Sequence, residues 1–312
     1  MKLQRLSLRD TAGLLTVALI LSTSGAIAQR FTYGSSGYRV LPNVEIVAVY
    51  LGSPDPTFKA TMDGFYSQIV GSSYLTWLSE YSTPTQTIGD GSFIGSFELP
   101  APIGTQDEKG IGAILDNAIH DGKLPQTDPN TVYMVHISGN VSVVNGISIL
   151  AVGVFGIAPG PGWCGLHLAY ASQATGRGYG ISPSIAFVVL PSLTSLSVCW
   201  ERGTTGAKTA IGGETANASH ELVEAITDPH SVIIYQGSVP PSLTIAQELS
   251  WSDPTQNQFL SPAEIADMCS NSTIRTSLAD TFVVSEAWRN SSGACFASNP
   301  TSWVATLQGI LF

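Results

Sequence analysis

The chain has little charge, and few of its charged residues are basic. Only 12% of its 312 residues are charged, with 13 lysines and arginines against 23 aspartates and glutamates, so the formal net charge is −10. Nucleic acids and anionic membranes attract proteins through a basic face, which so acidic a chain is poorly equipped to form. We therefore expect neither of them as a partner.

The chain also lacks an apolar run of the roughly 20 residues that a membrane-spanning helix needs. Its N-terminal apolar segment, residues 12–21, has ten residues. It follows three basic residues and precedes Ala26-Ile27-Ala28, a small-x-small cleavage pattern. These features are typical of a signal peptide. We expect residues 1–28 to be removed and residues 29–312 to form a secreted extracellular domain without a membrane span.

Cysteines are few, and all four lie beyond the predicted signal peptide, at Cys164, Cys199, Cys269 and Cys295. An even number in an exported chain predicts two disulfides. Three connectivities are open. We favour Cys164–Cys199 and Cys269–Cys295 because each closes a local loop. A cysteine-rich metal site is disfavoured, since no two of the four are close in sequence.

Apolar periodicity predicts alternating strands and helices. The predicted strands are residues 44–51, 131–137 and 185–190, with further strands and turns in 281–296. The predicted helices cover residues 58–69 with a continuation at 74–81, 108–120, about 215–226 and, as a short one, 262–267. The glycine-rich residues 88–95 are a loop or an edge strand. Strand, helix, helix, strand fits a crossover between parallel strands. We expect one α/β domain with a mixed β-sheet and flanking helices.

The most informative segment is residues 219–229, where one histidine and three carboxylates fall within a few positions. On a helix, His220 and Glu224 stack on one face, within reach of one ion. Glu221 follows His220, as the general base does in a His-Glu-x-x-His zinc-peptidase helix. The second histidine is a glutamate here, so the match is partial. The pattern predicts a zinc site with His220 and Glu224 as ligands and Glu221 as catalytic base.

A third ligand must come from elsewhere in the chain. His167 is the first candidate because it follows a glycine-rich loop beside Cys164. Asp267 and Glu264 come second, and His136 is weaker because it lies among apolar residues of a predicted strand.

Other interpretations of the same residues stay open. His220 and Glu224 can be an ordinary pair on a helix face, and Glu264 a capping acid. Asp228, which ends the helix before Pro229, can be a turn residue. Calcium is a less favoured ion, with oxygen ligands from Asp228, Glu264 and Asp267, because no regular calcium loop is present.

Several blocks of the chain, in order, resemble the phosphate-induced, or exordium-like, secreted proteins, particularly their bacterial and fungal branch. The blocks are residues 43–50, 65–66, 77–81, 88–92, 123–125, 130–136, 164–167, 219–229, 264–269 and 286–295. They cover nearly all of the mature chain and contain His136, His167 and His220. The resemblance implies an extracellular protein, since plant members of the family are associated with the cell wall.

These observations lead to two functional hypotheses. The first is a secreted metal-dependent hydrolase acting on peptides, since a strand at 185–190 ahead of a His-Glu helix is compatible with a zinc-peptidase-like layout. The second is a non-enzymatic extracellular protein that binds cell-wall polysaccharide or a surface partner. Its support is the family's wall association and the tryptophans at positions 163, 200, 251 and 288.

Overall fold

The computed structural model describes residues 31–34, 38–138, 141, 164–171, 184–191, 209–235, 245–255, 264–269, 275–277 and 282–297. The predicted signal peptide, Cys199, Trp163 and Trp200 lie outside these ranges.

Thirteen strands lie in the described residues. They are β1 Thr32–Tyr33, β2 Glu45–Leu51, β3 Ser92–Leu99, β4 Thr131–Ile137, β5 Leu166–Ala171, β6 Ile185–Leu190, β7 His230–Tyr235, β8 Ile245–Glu248, β9 Trp251–Ser252, β10 Arg275–Ser277, β11 Phe282–Val284, β12 Ala287–Arg289 and β13 Ala294–Phe296. Seven of them form one sheet in the order β3-β2-β4-β6-β5-β7-β8, and the others pair two by two. Strands β3, β2, β4 and β6 are parallel, whereas β5 runs antiparallel to β6. The predicted α/β class with a mixed sheet is confirmed.

Within the described ranges, four α-helices accompany the sheet: α1 Pro56–Ile69, α2 Ser73–Thr76, α3 Glu108–His120 and α4 Ala210–Thr227. Short 3₁₀ helices cover Trp77–Tyr81 and Asp267–Cys269. Each long helix begins at a residue whose side chain accepts a backbone N–H of the first turn. These residues are Asp55, Asp107 and Thr209. Such caps satisfy N–H groups that have no partner within the helix. Helix α4 ends before Asp228-Pro229, as the proline predicts.

The two crossovers at the start of the sheet lie on opposite faces. From β2 the chain passes through α1 to β3, and from β3 it returns over β2 through α3 to β4. The apolar side of α1 packs with Tyr50 and Met134, whereas α3 packs with Val49 and Val135. The two crossovers run in opposite directions across the sheet, and because both are right-handed, their helices must lie on opposite faces. The glycine-rich segment ends in β3, which is an edge strand, one of the two predicted alternatives.

Helix α4 covers the same face of the sheet as α1. Side chains alternate between the faces of a strand, so His136 shares this face with Met134. His167 points to it as well, because its neighbour Leu168 belongs to the core on the α3 face. Both histidines therefore lie beneath α4.

Helix α4 is longer than predicted. It begins at Ala210, and Gly212 and Gly213, which we expected to precede the helix, are buried within its first turns. Intrinsic propensity penalises each glycine by about 1 kcal/mol relative to alanine. Burial of nearly the whole helix outweighs that penalty.

One disulfide, Cys269–Cys295, is found in the described residues, with a Cα–Cα distance of 5.7 Å, whereas two were predicted. The pairing Cys164–Cys199 involves a residue outside the described ranges and stays a prediction. No helix among the described residues combines the length and apolarity needed to cross a bilayer.

Candidate metal centre

Helix α4 points buried carboxylates at the sheet. Glu214, Glu221 and Glu224 are each at most 7% exposed. Residues three, four and seven apart share a helix face, so Glu221 lies two turns after Glu214, and Glu224 lies one turn further on. Each carboxylate meets a histidine.

His167, near the start of β5, lies between carboxylates on both sides of its ring. Its Nδ1 is 3.3 Å from Glu221 Oε2 and 3.4 Å from Glu224 Oε2. Its Nε2 is 2.8 Å from Ser231 Oγ and 3.0 Å from Glu264 Oε1. Ser231 makes the hydrogen bond to Nε2, whereas Glu264 Oε1 is an ion-pair contact without hydrogen-bond geometry.

His220 meets the other oxygen of Glu224. Its Nε2 is 3.2 Å from Glu224 Oε1 and 3.4 Å from Asp267 Oδ1. Its Nδ1 is 3.5 Å from Ser285 Oγ. The backbone N–H of Asp267 donates to Glu224 Oε1 at 3.0 Å, which fixes the 3₁₀ turn against α4.

Two groups of metal-ligand type therefore share Glu224. In the first, which we call the buried group, His167, Glu221 and Glu224 each offer one ligand atom, and these atoms lie within 4.8 Å of one another. The second, the open group, consists in the same way of His220, Glu224 and Asp267. The side chains of His220 and Asp267 are 16% and 24% exposed, against 4% for His167. Solvent thus reaches the second group.

The distances within the two groups are long for charge-assisted hydrogen bonds and match the separation of ligands about a metal ion. A charge-assisted N–H···O bond is about 2.7–2.9 Å long. The buried pair His136 Nδ1–Glu214 Oε1, at 2.9 Å, has that length. The four contacts between a histidine nitrogen and a carboxylate oxygen within the two groups are 3.2–3.4 Å. Ligands about 2.0–2.1 Å from a tetrahedral zinc ion lie about 3.3–3.4 Å from each other.

Carboxyl groups outnumber imidazoles at the centre. Five carboxylates surround two imidazoles; they belong to Glu221, Glu224, Asp228, Glu264 and Asp267. Burial, and next the repulsion of Glu224, raises the pKa of Asp267 to about 7. Burial raises the pKa of Glu221. A divalent cation would compensate such an excess.

The two imidazoles and Glu224 stabilise each other's charge. Burial works against the charged form of His167, but attraction by Glu264 and hydrogen bonds to Glu221 and Glu224 raise its pKa well above the ordinary value. The His220 pKa is raised in the same way by Glu224 and Asp267. Burial likewise opposes ionisation of Glu224, yet attraction by His220 and hydrogen bonds from both histidines lower its pKa to about 2. Glu224 is therefore the permanently charged member of the centre.

Asp228 has the helix-end role that was one of its two predicted interpretations. Its Oδ1 accepts the backbone N–H groups of Ser250 at 2.5 Å and Trp251 at 2.8 Å. Burial, followed by repulsion from Glu264, raises its pKa well above the usual value. Its Oδ2 is buried and makes no hydrogen bond within the described part of the chain.

His136 does not join either group. Its Nε2 is 2.8 Å from the Tyr66 hydroxyl and its Nδ1 meets Glu214, so both ring nitrogens are bonded. This is the buried, bonded strand histidine that made it the weakest ligand candidate. Sequence reasoning missed Ser231 and Ser285, the two hydroxyls beside His167 and His220, because no spacing distinguishes them from other serines.

Gly165 explains why Glu221 fits so closely against His167. A Cβ atom at position 165 would lie 2.6 Å from Glu221 Oε1 and 2.7 Å from its Cγ. Only glycine leaves room for this carboxylate. The residue therefore acts as a spacer for the buried group.

Comparisons of the chain with protein-family models, with curated proteins and with solved structures give no match. The exordium-like resemblance stays a prediction. Trp251, one of the tryptophans that supported polysaccharide binding, does not present an open ring face. Its ring is partly buried and packs edge-on against Tyr81 at 5.2 Å and tilted against Tyr33 at 5.8 Å.

Proposed function

We propose that the protein is a secreted metal-dependent hydrolase whose metal ion binds at Glu224. The observation that carries the proposal is the spacing of the ligand atoms. In each group one histidine nitrogen lies 3.2–3.4 Å from two carboxylate oxygens, the separation of ligands about one tetrahedral ion, while a nearby buried His–Glu pair is 2.9 Å apart, the length of a hydrogen bond.

The open group is the catalytic site under this proposal. His220, Glu224 and Asp267 supply three ligands, the number typical of a catalytic zinc site, and solvent access leaves a fourth position for water or substrate. Asp267 is thus the missing third ligand of the His-Glu-x-x-Glu helix. Zinc is favoured over calcium because each group includes an imidazole nitrogen, whereas calcium prefers six to eight oxygens.

A bound zinc ion supplies Lewis acidity, which lowers the pKa of a water ligand to about 7. The protein's own contribution is to orient the ligands. The Asp267 N–H holds Glu224 Oε1, and Ser285 faces the second nitrogen of His220. Contacts of this kind fix the tautomer and the ring orientation of a ligand histidine. Peptides are the proposed substrates because of the partial zinc-peptidase motif, and secretion is supported by the predicted signal peptide and the disulfide.

The test is the metal content of the mature protein purified from zinc-supplemented medium. We expect about one zinc or more per chain in the wild type and a clear loss in His220→Ala. The matched control is His120→Ala, because His120 is exposed at the end of α3 and should keep the metal. Peptide hydrolysis that a chelator removes and zinc restores would complete the case. A folded, metal-free wild type would refute the proposal.

A further inference from the structure

We infer that the centre binds two divalent cations, one in each group, bridged by the carboxylate of Glu224. This inference rests on the proposed function and extends it with a second metal site. Its first basis is the direction of the two Glu224 oxygens. Oε2 faces His167 and Oε1 faces His220.

One shared ion does not account for both histidines. Among the described residues, the ligand sets whose atoms all lie within 4.8 Å of each other contain one histidine each, and Glu224 is the member that both sets have in common. Carboxylates that offer one oxygen to each of two ions are a regular part of two-metal sites, where the ions are about 3.5–4 Å apart. The geometry of Glu224 fits that role.

In each histidine, the ring nitrogen that does not face Glu224 also has a polar partner. The nitrogen of His167 that faces away from Glu224 is bonded to Ser231 and paired with Glu264. The corresponding nitrogen of His220 faces Ser285. Metal-binding histidines almost always have such a partner on the second nitrogen. The two rings share this arrangement although they come from different elements, β5 and α4.

The surrounding charge favours two ions over one. With neutral imidazoles, the three ligand carboxylates of the two groups, Glu221, Glu224 and Asp267, carry three negative charges when ionised, which is more than one divalent ion compensates. An independent observation points the same way. Asp228 lies one turn beyond Glu224, and its fully buried Oδ2 makes no hydrogen bond within the described part of the chain.

The two sites would differ in access. The side chains of the buried group are at most 9% exposed, so its ion would be structural and would position Glu224. The open group would hold the ion that meets substrate. Glu221 would then be a ligand of the buried ion, in contrast to the free general base that its place in the motif predicts.

Titration of the chelator-treated, folded protein with Co²⁺ and with Zn²⁺ tests this inference by stoichiometry. We expect two ions per chain for the wild type, one for Glu221→Gln and one for Asp267→Asn. Glu224→Gln should weaken both sites, because it removes the shared ligand. Glu98→Gln is the matched control, since Glu98 is exposed on the edge strand, and should still bind two. Thermal denaturation in chelator shows that each variant is folded.

The outcomes separate this inference from the proposed function. One ion in the wild type refutes the second site and leaves the hydrolase proposal intact. No ion in the wild type refutes both. If Glu221→Gln binds as many ions as the wild type but loses hydrolysis, Glu221 is a general base, and its assignment as a ligand of the buried ion is wrong.

Discussion

Replacing Cys269 and Cys295 together by alanine should destabilise the protein and weaken its open group. The disulfide closes a loop of 26 residues. A disulfide stabilises a protein by lowering the conformational entropy of its unfolded chain. For a loop of that length, losing the bond costs about 3.5 kcal/mol at 25 °C. For a protein of this size, each kcal/mol lowers Tm by about 2–4 °C, so the expected fall is about 7–14 °C.

The effect on the open group follows from where the disulfide lies. Cys269 ends the 3₁₀ turn that begins at Asp267, and the turn is held by the Cys269 N–H donating to Ala266 O at 2.8 Å. Cys295 belongs to β13, which pairs with β12. Without the bond, Asp267 is held near His220 by the hydrogen bond from its N–H to Glu224 Oε1 and by its own side-chain contact with His220, and both depend on the position of the turn. We expect metal affinity to fall in the open group more than in the buried group.

The assay is urea denaturation followed by circular dichroism, in chelator and with zinc, for the wild type and the double variant. A difference below about 1 kcal/mol in chelator would refute the loop-entropy reasoning, because the loop would then be restrained without the bond. The same denaturation is then repeated with reductant. A further fall in the stability of the double variant on reduction would reveal a bond between the two remaining cysteines.

Three other substitutions test the packing around the centre. Gly165→Ala should push the Glu221 carboxylate away from His167 and cost about 1–3 kcal/mol, with loss of one bound ion by elemental analysis. Asp228→Ala should leave two buried backbone N–H groups unpaired and lower the free energy of unfolding in urea by about 1–3 kcal/mol or more. Tyr66→Phe removes the hydroxyl bonded to His136 and should cost about 1–3 kcal/mol with unchanged metal content. A loss of metal in this last variant would contradict the separation of His136 from the centre.

Much of the fold follows from local pattern. Helix α3 and strands β4 and β6 have the bounds that periodicity predicts, because each is a continuous apolar or amphipathic segment with clear ends. The predicted start of α4, at about residue 215, was wrong. A glycine pair normally interrupts a helix, and local sequence does not reveal that tertiary packing buries Gly212 and Gly213 inside this helix. The mixed direction of the sheet depends on β5, whose neighbours in space are remote in sequence.

For the centre, sequence spacing brought together His220, Glu221 and Glu224, which share one helix. His167, the first candidate for a third ligand, lies near them, and its ring meets Glu224 on the oxygen opposite to His220. Glu264 and Asp267 were second-choice ligands within a predicted short helix, and only the tertiary fold shows that Glu264 contacts His167 and Asp267 contacts His220. The division into two groups depends on which carboxylate oxygen faces which ring, and no sequence pattern encodes that choice.

The two histidines beneath α4 also fix the register of the helix on the sheet. Glu214 and Glu221 are about 10.5 Å apart along the helix axis. His136 and His167 lie on strands separated by β6, two residues out of step along it, and so about 12 Å apart. A slip of one residue would turn α4 by about 100° and leave both carboxylates buried against apolar side chains. The helix is thus fixed on the sheet at two points, and the contact of Glu214 with His136, which belongs to neither ligand group, also sets the position of the carboxylates at the other end.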